Sequence, residues 1–223
     1  MSRPQKIHRS RSDTLINTRQ ALLEAVLELI NRDKSFDAIS LREVTREVGI
    51  TPGAFYRHFP DMDSLGLELV TSSFSTLRAM LMAVRANPLP EDLIIRRSVE
   101  TFVTYVRANR RQFQFIAREN FGGVACIRNA INDEFTQLEL ELASDLARLM
   151  PSPWNDSDLQ MLANLMISSM TRVATQQLML RPRGEDDNTL IAMAEKQLRL
   201  IALGANQWQS AELNLGNTSG IKD

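Results

Sequence analysis

Tyr56, Arg57 and His58 stand together in the sequence and are residue types that bind DNA. Phe55 and Phe59 flank this run four residues apart, so a helix would turn both rings to one buried face and leave the polar side chains outside. Arginine pairs with guanine through two hydrogen bonds, whereas tyrosine and histidine suit phosphate oxygens. The spacing therefore predicts a helix with a DNA-contacting surface.

Two short helices joined by a tight turn, over residues 40–59, are predicted to position that surface. Ser40 with Glu43 three residues later is typical of a capping box, which begins the first helix. Gly49 supplies the left-handed backbone that ends it, and Thr51 followed by Pro52 begins the second helix. The second helix of such a pair lies in the major groove with its first residues at the base edges.

The expected DNA contacts divide into base-reading and phosphate-binding positions. Bases are assigned to Arg42, Thr51 and Arg57, phosphates to Tyr56 and His58, and the small side chains at 53 and 54 let the backbone approach closely. The full set is Arg42, Thr51, Pro52, Gly53, Ala54, Tyr56, Arg57 and His58. An exposed polar run also fits a merely solvated helix, and that alternative stays open on these residues alone.

The whole segment resembles a known family. Residues 36–44, the turn and helix of residues 48–59, and Asp61, Asp63 and Leu65 are similar to the N-terminal domain of the TetR family of transcriptional repressors. Residues 56–67 and 197–208 resemble its FabR/DesT type, regulators of unsaturated fatty-acid synthesis that respond to acyl thioesters. Arg118-Glu119 followed by Gly122 echoes the same type.

The resemblance implies an all-α fold with an N-terminal three-helix DNA-binding domain and a C-terminal helical domain that binds ligand and dimerises. Composition agrees, because 9 glycines and 8 prolines in 223 residues favour helices over a sandwich or barrel. Apolar periodicity predicts helices at about residues 13–31, 40–48, 51–59, 61–84, 91–108, 110–120, 124–149, 157–180 and 189–207. We expect a flexible basic arm at 1–12, the DNA-binding domain at 13–60, the ligand-binding and dimerisation domain at 61–208, and a disordered tail at 209–223.

Charge and cysteine content narrow the function classes. Residues 1–60 carry ten Lys and Arg against seven Asp and Glu, although the whole chain has a net charge of −1. Basic charge thus lies with the DNA motif. The arm fits either minor-groove contact or a solvated tail, and Arg19 is expected to meet a phosphate. A lone Cys126 and two distant histidines indicate no metal or catalytic site, and no apolar run predicts a membrane span or signal peptide, which favours the cytoplasm.

The helix at 157–180 is apolar over most of its circumference, which requires two apolar partners. One partner is the domain interior, and the other is predicted to be a second subunit, in a four-helix interface with the last helix. A thicker monomeric core is the alternative. The expected dimer contacts are Leu165, Arg172, Leu198, Ile201, Ala202 and Ala205.

Aromatic and methionine side chains of the central helices are expected to line a cavity for a hydrophobic effector. They are Phe74, Leu77, Phe102, Tyr105, Val106, Phe113, Ile116, Met166 and Met170. Ordinary core packing explains the same pattern. The resemblance implies that the effector is a long-chain acyl-CoA. Four arginines near the ends of the surrounding helices are expected to bind its phosphates, and a solvated basic rim that binds no ligand is the alternative. The four arginines are Arg110, Arg111, Arg118 and Arg128.

The function predicted is a homodimeric repressor of fatty-acid or lipid metabolism that binds a palindromic operator without a cofactor or membrane contact. A TetR-type repressor of efflux or catabolism that senses another hydrophobic molecule is the alternative. An enzyme with a helical substrate domain would need paired titratable groups on facing helices, and none has a distinctive spacing. An adaptor that tethers a partner protein to DNA is the third class considered.

Overall fold

The computed structural model describes residues 11–86, 91–149, 154–179, 185–205, 207–208 and 210. Regular structure within these ranges is entirely helical, which confirms the all-α prediction. The helices are α1 (Arg11–Asn31), α2 (Leu41–Val48), α3 (Pro52–Phe55), α4 (Met62–Ala86), α5 (Glu91–Ala108), α6 (Arg110–Glu119), α7 (Ala125–Leu149), α8 (Asp156–Met179) and α9 (Glu185–Ala205), with one 3-10 turn at Phe36–Ala38. None of them has an apolar stretch long enough to cross a membrane.

Helix bounds differ from the predicted ones most at the end of α3, which stops at Phe55 rather than at residue 59, and at the start of α9. Helix α1 begins at Arg11, so the last two residues of the predicted arm are helical. Helix α9 begins at Glu185 rather than at Thr189. The remainder of the predicted arm and most of the predicted tail lie outside the described residues.

The short helices begin and end as their capping residues dictate. Ser40 and Glu43 form the predicted capping box, and Gly49 ends α2 with a left-handed φ of 75°. The hydroxyl of Thr51 accepts a hydrogen bond from the Ala54 N–H at 3.3 Å, which fixes the start of α3. Because these caps are local, the turn between α2 and α3 is specified by its own sequence.

A continuous apolar core joins the two parts of the molecule, which we call the head (α1–α3) and the body (α4–α9). Buried residues of the head, such as Val26 and Phe55, belong to the same cluster as Leu69, Phe74 and Phe115 of the body. A second cluster joins α5, α8 and α9. Helix α4 is the first helix of the body, and its apolar face packs in this core against residues of both parts.

Candidate nucleic-acid interface

The polar residues Tyr56, Arg57 and His58 follow α3 and are exposed or partly exposed. Helix α3 is shorter than the predicted helix of residues 51–59. It comprises one helical turn and continues as hydrogen-bonded turns, since the Phe59 N–H donates to the Phe55 carbonyl at 3.1 Å. Phe55 and Phe59 are 0% and 1% exposed, whereas Tyr56 is 61% exposed. Two aromatic neighbours in sequence thus have opposite environments, and the outer one is available to a partner molecule.

The predicted DNA contacts of the head are all exposed or partly exposed. Thr51, Pro52, Gly53, Tyr56 and Arg57 are exposed. Arg42 on α2 is also exposed, and Ala54 and His58 are partly so. A Cβ built at residue 53 would meet no atom of the chain within 4 Å, so the chain's own packing does not require a glycine there. A close approach by another molecule would require one.

Helix α2 is held by an ion pair at its start. The ammonium of Lys34 donates to the Glu43 carboxylate, which also accepts the Ser40 N–H at 3.0 Å. The Lys34 hydrogen bond, followed by those from Ser40, lowers the pKa of Glu43 to about 2. The cap therefore stays ionised across the neutral range.

Arg19 has a different role from the predicted phosphate contact. Its guanidinium lies over the Phe59 ring, 4.2 Å from the centroid. Its Nε donates to Glu68 Oε1 at 2.8 Å, and Nη1 donates to the His58 carbonyl. A cation at this place stabilises the free carbonyl at the end of the recognition segment. Arg19 therefore ties that segment to α1 and α4, and no local pattern links residues 19 and 68.

His58 is a neutral donor rather than a cation at neutral pH. Partial burial, followed by the charges of Arg19 and Arg57, lowers the pKa of its imidazole. Neutral imidazole donates a single hydrogen bond. The predicted phosphate contact at His58 would therefore be one neutral hydrogen bond, with the positive charge supplied by Arg57 and Arg42.

The dimer prediction needs correction on α9. Leu198 and Ala205 are each only 5% exposed within the single chain. Leu198 packs with Val99 and Val173 in the cluster of α5 and α8, so it is part of the body's own core. Ile201 and Ala202 are partly exposed.

A different stripe of α9 is open and apolar. Leu200 and Leu203 are 71% and 64% exposed, and Leu165 of α8 is 49% exposed. Arg172, also on α8, is exposed as well. The exposed apolar surface of α8 and α9 is therefore carried by the three leucines rather than by Leu198 and Ala205.

The residues expected to line a cavity form a packed core. Phe74, Leu77, Phe102, Tyr105, Val106 and Ile116 are buried in one cluster, and Phe113, Met166 and Met170 pack on the core partly buried. The Phe113 ring lies 6.1 Å from that of Phe102 and 5.7 Å from that of Tyr105. The Tyr105 hydroxyl donates to the Ser73 carbonyl at 3.0 Å. Two surface pockets of about 500 and 300 Å³ involve none of these residues.

The four arginines expected to meet coenzyme A phosphates bind groups of this chain instead. On the body side, Arg110 donates to the Gln177 carbonyl at 3.1 Å, and Arg128 donates to the Gly122 carbonyl at 2.5 Å. On the head side, Arg111 pairs with Glu28 at 3.1 Å, and Arg118 donates to the Lys34 carbonyl at 2.8 Å. All four guanidinium groups therefore have partners within this chain.

The part of the chain that the structure describes contains no group of three or more His, Cys, Asp or Glu residues arranged to hold a metal ion. Cys126 is partly buried, and burial followed by the neighbouring Asp63 raises the pKa of its thiol. A thiol of that kind is a poor nucleophile at neutral pH.

Two family models match the chain. The model described as bacterial regulatory proteins of the tetR family matches residues 22–69, and the model described as the tetracyclin repressor-like C-terminal domain matches residues 92–204. The first covers α2, α3, the C-terminal part of α1 and the start of α4, and the second covers most of the body.

Solved structures share the fold at low sequence identity. A transcriptional regulator of the TerR/AcrR family from Aquifex aeolicus is 16% identical, with a TM-score of 0.67 over 82% of this chain and 99% of its own. A protein described as a TetR-family transcriptional regulator from Syntrophomonas wolfei is 13% identical, with a TM-score of 0.71 over 85% and 96%. A fatty acid degradation regulator from Bacillus halodurans is 11% identical, with a TM-score of 0.66 over 86% and 96%.

Proposed function

We propose that this chain, which belongs to the TetR family of bacterial regulatory proteins, is a homodimeric repressor that binds a palindromic operator and responds to a hydrophobic ligand. Regulators of this family are DNA-binding proteins, generally without enzymatic activity. The observation that carries the proposal is the outer face of α2 and α3, where Arg42, Tyr56 and Arg57 are exposed beside the fully buried Phe55.

Base reading is assigned to the two exposed arginines. Arg57 lies just after α3 and Arg42 lies in the first turn of α2, so the two side chains are carried by separate elements of the head. Replacing either with alanine is expected to cost about 1–3 kcal/mol on the best duplex and to relax the base preference at one position of each arm. Titration of a duplex selected from a random pool, and of its single-base variants, measures both effects.

Arg97 provides the matched control for these substitutions. It is an exposed arginine on α5, in the body, with a partner at Glu100. Arg97→Ala should leave affinity and base preference as they are. Equal losses at Arg97 and Arg57 would show that general charge, rather than the recognition surface, supports binding.

The proposed dimer is needed because one head can contact only one half-site of an operator. A recognition segment as short as α3 contacts a single half-site, and two copies related by a two-fold axis match a palindrome. The exposed leucines at positions 165, 200 and 203 provide an apolar surface for the second copy. Exposed apolar patches of this kind mark protein interfaces.

The ligand proposed is a long-chain acyl-CoA. Support comes from the similarity of residues 56–67 and 197–208 to regulators of unsaturated fatty-acid synthesis, since the Bacillus halodurans relative at 11% identity shares only the fold. Met170 is partly buried against both core clusters and Met166 against the second, and methionine repacks readily around a flexible chain. A repressor of efflux or catabolism that senses another hydrophobic molecule is the second candidate.

Acyl-CoA is expected to change operator affinity by about five- to 150-fold, since coupling between two sites is typically about 1–3 kcal/mol. Saturated and unsaturated chains should differ, because a cis bend changes the shape that fills the core. Operator titrations with palmitoyl-CoA, oleoyl-CoA and unacylated coenzyme A measure this. Native mass spectrometry of the purified protein would identify a retained thioester. If no acyl-CoA changes the titration, the fatty-acid assignment fails and the repressor assignment stands.

A further inference from the structure

Gly66 and Glu119, which have no part in the proposed DNA contacts, both lie against Phe36 of the head. Gly66 belongs to α4, and Glu119 is the last residue of α6. Phe36 lies in the 3-10 turn between α1 and α2. The head is therefore docked on the body at a defined place, remote in sequence from the recognition helix.

Phe36 is held in a tight apolar socket. Its side chain is 2% exposed, and its ring centroid lies 6.0 Å from that of Phe115 on α6. A Cβ built on Gly66 would lie 2.7 Å from Cζ of Phe36 and 2.5 Å from Cδ1 of Ile127. Only glycine lets α4 pass this close, so the socket leaves Phe36 little freedom to move. We call Gly66, Phe115, Glu119 and Ile127 the Phe36 socket.

Glu119 fixes the backbone at the same place. Its carboxylate is 1% exposed, and Oε1 accepts the Phe36 N–H at 2.9 Å. Oε2 is buried without a hydrogen-bond partner, and any side chain at Gly122 would collide with it. Burying a half-satisfied carboxylate costs stability. Glu119 is thus better explained by the position it imposes on Phe36 than by the stability it contributes.

Arg118 secures the chain that leads into the socket. It donates to the Ile30 carbonyl, in the last turn of α1, at 3.3 Å and to the Lys34 carbonyl, beyond the end of α1, at 2.8 Å. It also pairs with Asp33 at 3.1 Å, a residue with a left-handed φ of 65°. The end of α6 therefore binds the head at two places, through Arg118 at the carbonyls of Ile30 and Lys34 and through Glu119 at the N–H of Phe36.

We propose that Glu119 is a positioning residue for DNA binding, which acts through Phe36 to fix the angle of the head on the body. The inference rests on the proposed binding of a palindromic operator by a dimer. Half-sites are separated by about one helical turn, roughly 34 Å. A two-arm operator accepts only one separation of the recognition helices, so a head that rotates in its socket loses the second arm. The Arg19–Glu68 contact joins the head to α4 alone, whereas the Phe36 socket also joins it to α6 and α7.

The test compares two-arm with one-arm binding. The probes are a duplex selected by the wild-type protein from a random pool, the same duplex with one arm scrambled, and the same duplex with two base pairs inserted between the arms. Glu119→Leu is expected to lose about tenfold in affinity for the complete duplex and to stay within about twofold of wild type on the one-arm duplex. The penalty for the insertion should shrink. Glu119→Gln keeps an acceptor oxygen and should restore most of the two-arm affinity.

Two further variants separate a change in head position from a loss of stability. Val99→Ala removes buried volume in the cluster of α5, α8 and α9, away from the socket, and should lower the melting temperature while leaving the ratio of two-arm to one-arm affinity unchanged. Arg118→Gln, whose side chain is nearer the surface than Glu119, should reproduce the pattern of Glu119→Leu if the latter folds poorly.

Three results would overturn the inference. Equal losses on both duplexes in Glu119→Leu and Arg118→Gln would show a role in folding the head. Unchanged binding to both would show no role at all. A wild-type protein that enriches no duplex would overturn the proposed function together with this inference, whereas the first two results overturn the inference alone.

Discussion

Leu203→Glu is expected to convert the dimer into monomers and to abolish tight binding to a two-arm operator. Leu203 is 64% exposed on α9, and Leu200, three residues earlier, is 71% exposed. In the proposed dimer both copies of residue 203 would be buried, and a carboxylate buried without a partner costs several kcal/mol. A loss of about 3 kcal/mol weakens the dimer more than 100-fold. Sedimentation at micromolar protein, together with operator titration, measures the change.

Met82 supplies the control for this substitution. It is 53% exposed on α4, outside the stripe formed by α8 and α9. Met82→Glu should leave both the sedimentation coefficient and the operator affinity unchanged. A Leu203→Glu protein that still sediments as a dimer would place the interface on another surface.

Phe55→Ala is expected to destabilise the head by about 3–5 kcal/mol, the usual cost of removing a buried phenyl ring. Phe55 is 0% exposed and contacts the Phe59 ring at 5.9 Å. For a chain of this size such a loss lowers the melting temperature by roughly 6–20 °C. Calorimetry and denaturant titration followed by circular dichroism measure the loss, and operator binding should disappear with the folded head.

The adjacent residue is the matched comparison. Tyr56 follows Phe55 directly, and its ring meets the Phe55 ring edge-on at 5.7 Å, yet it is 61% exposed. Tyr56→Ala should change the free energy of unfolding by less than about 0.5 kcal/mol and should weaken binding to every duplex alike. Equal destabilisation by the two substitutions would contradict the packing of α3, and unchanged DNA affinity would remove Tyr56 from the interface.

Features set by neighbouring residues were predictable from the sequence. The capping box of Ser40 and Glu43, the left-handed Gly49 and the inward faces of Phe55 and Phe59 are all confirmed. Each depends on groups within a few residues, so the sequence pattern contains the whole interaction. The exposed positions of Tyr56 and Arg57 follow from the same local spacing.

Features set by distant partners were not predictable. Arg19 and Glu68 meet across 49 residues, and Arg118 and Lys34 across 84. Periodicity showed that α9 is apolar but did not show which side faces its own chain. Leu198 faces the body's core, and Leu200, two residues on, faces outward. A helix that is apolar on several sides leaves that choice to tertiary packing.

The hydrogen bonds from Arg118 and Glu119 to the head end mainly on peptide groups: the carbonyls of Ile30 and Lys34 and the N–H of Phe36. Peptide groups are the same whatever side chain they carry. Substitutions among the exposed residues of α2 and α3 therefore leave these bonds in place. In the proposed function, point mutations of these residues are therefore expected to change the target sequence without redesign of the docking contacts.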